Sequence, residues 1–341
     1  MKIALDTMGT NNAPAVEVEG AVRAARHLKP GSEIILVGPR RTLEKELEKQ
    51  WRVPPNISIV QASEVITMED KPVEALRRKR DSSIVKMLEM LRDGSTDAAV
   101  SAGNTGAMVA GAKLILHSLE GIDRPAIATT IPSARGVSIL IDSGASIDCK
   151  PHQLLEFAIM GSEYARFIMK ISRPSIGLLS IGTESTKGNE LTRETHKLLE
   201  KSGLNFIGNV EGRDVFMGNA DVIVSDGFVG NIVLKVAEGL ASAIQNILLA
   251  EIKRHFLRTI GGVLMKPAFM RMRKRGDYSE YGGAPLLGVN GICLICHGSS
   301  SAKAIANAIR GAERYGIQEI NSKIVNAVTS FKKGENDDLG G

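Results

Sequence analysis

Eight times along the chain a short apolar run ends on a small polar cluster, and a segment with helical spacing follows. The stops are Leu5-Asp6-Thr7-Met8-Gly9, Val37-Gly38, Ser101-Ala102-Gly103-Asn104, Ile141-Asp142-Ser143-Gly144, Ser180-Ile181-Gly182-Thr183, Phe206-Ile207-Gly208-Asn209, Ser225-Asp226-Gly227 and Cys296-His297-Gly298-Ser299. Strands buried on both faces read as continuous apolar runs, and their alternation with helices specifies parallel pairing through right-handed crossovers. Strands are expected at residues 2–6, 33–38, 57–61, 97–101, 126–131, 137–142, 175–181, 205–208, 221–225 and 291–296. Helices are expected at 14–28, 42–50, 82–92, 105–118, 152–170, 189–202, 230–258, 300–315 and 317–331. The pattern predicts a doubly wound α/β sheet. Ligands in open parallel sheets bind beyond the carboxyl ends of the strands, so the polar clusters should converge on one edge of that sheet.

Residues 1–331 read as a single catalytic unit, and the polar stretch 332–341 reads as a structureless tail. Aromatics make up only 4% of the chain, with one Trp, which argues against a base-stacking surface for nucleic acid. No continuous apolar run reaches the roughly 18 residues needed to span a bilayer. Asp6 comes too early for a signal peptide, and three cysteines in 341 residues suit a reducing cytoplasm.

One segment, about 230–275, breaks the rhythm. Ile232, Val236, Leu240, Ile244, Ile247, Leu248, Ile252 and Phe256 recur at helical period. From Glu251 to Arg275 there are eight Lys/Arg residues and one acid. In one reading the segment lies on a membrane surface, with Phe256, Leu257, Ile260, Val263, Leu264 and Phe269 in the interface and Arg271, Arg273 and Lys274 facing anionic lipid. In a second it docks an acidic protein, and in a third it is a solvated helix end packed in a dimer. No nucleic-acid recognition module is evident.

Several loops carry chemistry. Ser101-Ala102-Gly103-Asn104-Thr105-Gly106-Ala107 follows a strand and opens a helix, where Asn104 or Thr105 can cap and free N–H groups can hold an anion. It has no Walker lysine, and no G-x-G-x-x-G follows the first strand. Gly182-Thr183-Glu184-Ser185-Thr186-Lys187-Gly188 offers hydroxyls and a lysine suited to a phosphate or an oxyanion, though exposed loop lysines are common. Asn231 is a helix cap or a ligand contact. Asp142-Ser143-Gly144-Ala145-Ser146 and His297-Gly298-Ser299-Ser300-Ser301 are rich in hydrogen-bonding groups, and His297 can act as acid or base. Cys293-Leu294-Ile295-Cys296-His297 spells a haem-attachment pattern, but residues three apart in a strand face opposite ways. No metal-ligand spacing and no G-x-S-x-G elbow occur.

In this order the clusters resemble those of the bacterial acyl-ACP:phosphate acyltransferase family of phospholipid synthesis. The likeness runs from residue 1 to about 330. It is carried by residues 101–107, Gly121-Ile122-Asp123-Arg124-Pro125, residues 182–191 around Lys187, residues 226–235, Tyr281-Gly282-Gly283-Ala284-Pro285-Leu286-Leu287-Gly288 and His297-Gly298-Ser299-Ser300. The resemblance implies a dimeric three-layer α/β/α enzyme, related in fold to phosphotransacetylases and isopropylmalate-type dehydrogenases. It would make acyl phosphate from inorganic phosphate and acyl carrier protein thioester, for a membrane glycerol 3-phosphate acyltransferase. No cofactor or metal is implied. Two loops depart from the family. Asp-Ala-Met-Gly-Gly-Asp-His is here Asp6-Thr7-Met8-Gly9-Thr10-Asn11-Asn12, and Asp-x-Gly-Ala-Asn is here Asp142-Ser143-Gly144-Ala145-Ser146.

The resemblance supports Lys187 and Asn231 as catalytic residues. Lys187 is expected to hold the phosphate or the tetrahedral oxyanion, with Asn231 as a neutral donor. Asn104, Thr105, Gly106, Asp142, Thr183, His297 and Ser299 are expected to bind phosphate or substrate. Phe256, Leu257, Leu264, Arg271, Arg273 and Lys274 would form a membrane or partner surface at the inner face of the cell membrane. The rivals are an acyl-CoA-dependent phosphotransacetylase, a metal-dependent nicotinamide dehydrogenase, for which no carboxylate cluster can be assembled, and a non-catalytic membrane adaptor.

Overall fold

The apolar runs pair into two sheets where the sequence pattern predicts one. The computed structural model describes residues 1–276 and 282–338, with the side chains of 269–276 and 333–338 outside the described set. The first sheet has the order β3 (Ile57–Gln61), β2 (Glu33–Gly38), β1 (Lys2–Asp6), β4 (Ala98–Ser101), β12 (Ile292–Ile295), β11 (Ala284–Leu287), β5 (Ala126–Ile127). Its first five strands are parallel, and β11 and β5 run antiparallel to their neighbours. The second sheet has the order β6 (Thr129–Ser133), β7 (Gly136–Ile141), β10 (Val222–Val224), β8 (Ile176–Leu179), β9 (Phe206–Val210), with β6 alone antiparallel.

The chain passes from one sheet to the other within the run expected to be a single strand at 126–131. Ala128 donates its N–H to Pro285 O at 3.0 Å, while Ile127 pairs with Leu286 and Thr129 with Leu140. A run of aliphatic and β-branched residues, Ala126-Ile127-Ala128-Thr129-Thr130-Ile131, carries no mark of such a switch. The sequence reading also missed β11, since Pro285 demotes a strand. It missed the short helix α3 (Pro72–Arg78) as well.

Alternation along each strand divides the cores. Ile3, Leu5, Ile34, Leu36, Val100 and Leu294 pack under α1 (Ala15–Ala25) and α10 (Ala302–Ile317). Ala4, Ile35, Val37, Ala99 and Ile295 pack on the other face, against α4 (Ser83–Arg92) and α5 (Thr105–Gly111). Cys293 and Cys296 fall in these opposite cores, which leaves the haem-like pattern without a shared face. Ile139, Ile141, Leu178 and Val222 of the second sheet bury against α6 (Pro151–Phe167), α7 (Glu190–Lys201) and α11 (Ile320–Asp338). Thus α11 continues past Lys332, where a structureless tail was expected, and 339–341 lie outside the described residues.

The basic segment forms two helices, α8 (Gly227–Lys253) and α9 (Phe256–Gly276). They pack on one another where a Cβ on Gly262 would come within 2.6 Å of Ile252. By length and composition α8 is apolar enough to cross a membrane, a property hidden in the sequence by Lys235 and Glu238. Arg271, Arg273 and Lys274 fall on α9 where side chains are outside the described set, as does Phe269, and Tyr281 is outside the described residues.

Candidate functional site

A cavity of about 170 Å³ opens where the two sheets meet. The crossing strand supplies Ile127, Thr129 and Thr130, and the loop after β7 supplies Ser143. Helix α8 contributes Asn231, Leu234, Lys235 and Glu238. Gly283, Ala284, Ile295, Cys296, His297, Ser300 and Ala304 close the side formed by β11, β12 and α10, and Thr105 enters from α5.

Asp142 builds this junction without facing it. Its side chain is fully buried and accepts N–H groups from Ile127 (2.9 Å), Gly144 (3.0 Å), Ala145 (3.0 Å) and Ser146 (2.6 Å). Burial pushes its pKa up, and these backbone donors pull the other way. Asp142 therefore ties the loop after β7 to the crossing strand and is absent from the cavity wall. Ser146, at the family's Asn position, has a similar duty, donating its hydroxyl to Pro125 O at 3.1 Å.

Asp226 caps α8, accepting from Phe228 N and Val229 N at 2.9 Å each. Asn231 is thus one turn inside the helix and lines the cavity, so capping is not its role. The helix can start here because Gly230 lies against the loop after β7, where a Cβ would be 1.9 Å from Asp142 O.

Thr105, Asn231 and His297 are the expected site residues that the cavity brings together. Asn104 is not on its wall. Its Oδ1 accepts from Ala107 N at 2.9 Å, and its Nδ2 donates to Thr67 O and Asp70 O, which makes it the cap of α5 and a clamp on the 67–70 loop. Gly106 faces Pro72 instead. Ser299 is bound to its own neighbour, with its Oγ 2.7 Å from His297 Nδ1. Thr183 and Lys187 are exposed on the loop after β8 and do not line the cavity. That loop is nonetheless next along the sheet edge to the start of α8, because β8 neighbours β10.

Ser299 N also donates to His297 Nδ1 at 3.2 Å. A backbone N–H can only donate, so Nδ1 is the acceptor and the neutral ring carries its proton on Nε2. Burial pushes the Cys296 thiol up to about 12, which keeps it protonated and a poor nucleophile. Among the described residues no three metal-ligating side chains gather.

Ser300 and Lys235 lie in motifs that the sequence singles out without a role of their own, and Glu238 and the buried acid Glu17 lie outside them. Helical spacing from Asn231 was the available signal for Lys235, four residues on. Nothing marked Glu17, which holds the first loop by accepting Thr10 N at 2.6 Å. That loop reaches the His297 loop through Asn11 N to Gly298 O at 2.9 Å. Burial raises the Glu17 pKa from 4.5 to about 7. The folded state therefore holds a proton that the unfolded chain has released, and stability falls as pH rises from about 4.5 through about 7. The shift corresponds to about 3 kcal/mol. Glu17→Gln should remove that part of the pH dependence, so urea unfolding at pH 5.5 and 8 should differ less in the variant than in the parent. Equal differences would contradict the assignment.

The comparisons with known proteins identify this architecture. The model of the family described as "Fatty acid synthesis protein" matches residues 1–323. A phosphate acyltransferase from Pelobacter propionicus is 51% identical over 325 residues, covering 95% of this chain and 93% of the relative. The chain belongs to the phosphate acyltransferase family. Another phosphate acyltransferase, from Pelotomaculum thermopropionicum, is 51% identical over 328 residues, covering 95% of each chain. In fold the chain is similar to the EutD phosphotransacetylase from Staphylococcus aureus, with a TM-score of 0.60 at 16% identity, covering 92% of this chain and 93% of the other. A phosphotransacetylase from Streptococcus pyogenes superposes with a TM-score of 0.58 at 21% identity, covering 92% and 93%.

Proposed function

We propose that the cavity transfers a fatty acyl group from the thioester of acyl carrier protein to inorganic phosphate, giving acyl phosphate for phospholipid synthesis. The observation that carries this is a cavity within the family-matched span, with hydroxyl, amide, imidazole and ammonium groups on its wall and, among the described residues, no activated nucleophile. The phosphate is the nucleophile. One of its oxygens bonds to the thioester carbon, the C–S bond breaks, and the proton of the hydrogen phosphate ends on the departing thiol. Catalysis then consists of positioning the anion and stabilising the oxyanion. Asn231 donates to the oxyanion, Thr105 orients the incoming anion, and His297 relays the proton through Nε2. Lys187, at the adjacent strand end, is retained as the cation on the donor side.

The rival donor is a coenzyme A thioester, as the phosphotransacetylase fold suggests. Competition between equal concentrations of acyl carrier protein thioester and the matching coenzyme A thioester separates the two. Preferential consumption of the carrier thioester supports this reading, and preferential consumption of the coenzyme A thioester replaces it with the rival.

Exposed apolar stripes support the partner surfaces proposed here. On α8, Val236, Leu240, Ile244 and Ile247 are each more than half exposed along one stripe, which a second copy of the chain would cover in a homodimer. On α9, Phe256, Leu257 and Leu264 are 77–79% exposed beside Lys253, Arg254, Arg258 and Lys266. Apolar side chains among cations suit an anionic bilayer surface. This would place the enzyme at the inner face of the cell membrane, near a glycerol 3-phosphate acyltransferase. The same cations also suit the acidic carrier protein. Co-sedimentation with anionic liposomes should weaken with salt and be lost in the Leu257→Glu, Leu264→Glu double variant. Unchanged sedimentation of that variant would rule out insertion at this point.

A further inference from the structure

Ser300 is the cavity residue whose chemistry is left over. It is 6% exposed, and among the described residues its Oγ has no hydrogen-bond partner. Its backbone N–H is already given to His297 O at 2.9 Å, and the neighbouring Ser301 Oγ, not Ser300, caps α10 by accepting from Ala304 N. A buried hydroxyl without a partner costs free energy, and because Ser300 lines the cavity, a turn about its Cα–Cβ bond would bring that hydroxyl to a ligand bound there. Helix α10 is 16 residues long, has no acid in its first turn, and brings Ala304 of that turn to the same wall. The first turn of α10 itself carries no carboxylate to offset its positive dipole end.

Two charged side chains of α8 share the cavity, Lys235 and, three residues on, Glu238. A lysine suits any dianion as a point charge. A carboxylate on an anion site repels a fully deprotonated anion, but it accepts a hydrogen bond from one that still carries a proton. Near neutral pH hydrogen phosphate carries that proton, and sulfate does not.

We propose that Ser300, the N-terminus of α10 and Lys235 form the subsite for inorganic phosphate, and that Glu238 selects phosphate over sulfate by accepting its proton. This rests on the acyl-transfer reading for its purpose, but not for its test. Ser300 Oγ donates to a phosphate oxygen, Lys235 offsets the charge, and Glu238 takes the P–OH hydrogen bond.

The test is calorimetric titration of the full chain with inorganic phosphate and, separately, with sulfate. The parent should bind sulfate at least about tenfold more weakly than phosphate, the size of a lost charge-assisted hydrogen bond. Ser300→Ala should weaken phosphate binding roughly ten- to a hundredfold. Lys235→Gln should weaken both anions, and Glu238→Gln should bring them close to equal affinity. Removal of an unpartnered buried hydroxyl should leave the Ser300→Ala unfolding midpoint unchanged or raised, so weak binding by that variant would not reflect misfolding. Parent-like phosphate affinity in Ser300→Ala, or equal binding of both anions by the parent, overturns the proposal. Acyl phosphate formation is measured alongside. If the parent forms acyl phosphate and Ser300→Ala keeps its phosphate KM, the subsite fails and the acyl-transfer reading stands. If the parent forms none while the anion titrations behave as stated, the subsite stands and the reading fails.

Discussion

Asn231→Ala lowers kcat for acyl phosphate formation about a hundred- to a thousandfold, the usual effect of losing one oxyanion donor. The expectation follows from placement. Asp226 takes the cap of α8, which leaves the Asn231 carboxamide on the cavity wall with Gly144 packed beside it, the position of a Cβ there being 3.5 Å from Asn231 Cβ. The loss should fall mainly on kcat, because a donor to the oxyanion matters more in the transition state than in the bound substrate. A shift confined to KM would assign Asn231 to ground-state binding instead. Lys187→Ala is the companion measurement, with a loss of the same order expected. A parent-like rate for that variant would remove Lys187 from the reaction and leave Lys235 as the cation that serves it.

Gly230→Ala should damage both the fold and the activity. The added methyl would lie 1.9 Å from Asp142 O and 2.8 Å from Ser225 Oγ. Neither neighbour can withdraw easily. Asp142 is fixed by its backbone donors, and Ser225 donates its hydroxyl to Asp142 O at 3.2 Å. Overpacking of this kind costs about 1–3 kcal/mol, with backbone collisions toward the upper end. Relief requires the first turn of α8 to move off the loop after β7, which carries Asn231 and Lys235 out of register with Thr105 and His297. Urea unfolding and the rate of acyl phosphate formation should therefore fall together. A variant with the parent's unfolding midpoint and rate would show that this contact does not position the site.

The parallel strands were legible because strands buried on both faces need continuous apolar runs, and β1, β2 and β3 were read residue for residue. What remained hidden was the partner of each strand. The 126–131 run is aliphatic or β-branched throughout, so every residue suits a strand, and only its pairing, Ile127 with Leu286 and Thr129 with Leu140, divides it between two sheets. The site was legible to the same degree. Strand ends marked the loops that carry Thr105 and His297, while Asn231 reads from its position as a cap or a ligand contact and is singled out as catalytic by the family resemblance. Hydrogen-bond saturation was not readable, and it distinguishes Asn104 and Asp142, whose polar atoms are engaged with backbone, from Ser300, whose hydroxyl is not. Lys235 and Glu238 were passed over because they interrupt an apolar helix that was read for its stripe rather than for its first turns.

In the proposed reaction phosphate itself attacks the acyl donor in the cavity between the sheets. The most direct test is to incubate the enzyme with acyl carrier protein thioester and isotopically labelled inorganic phosphate, then trap the product with hydroxylamine while counting released thiol. One labelled acyl phosphate, and so one hydroxamate, is expected for each thiol set free, with no release when phosphate is withheld. Thiol release without phosphate, or acyl groups recovered on the protein, would contradict it.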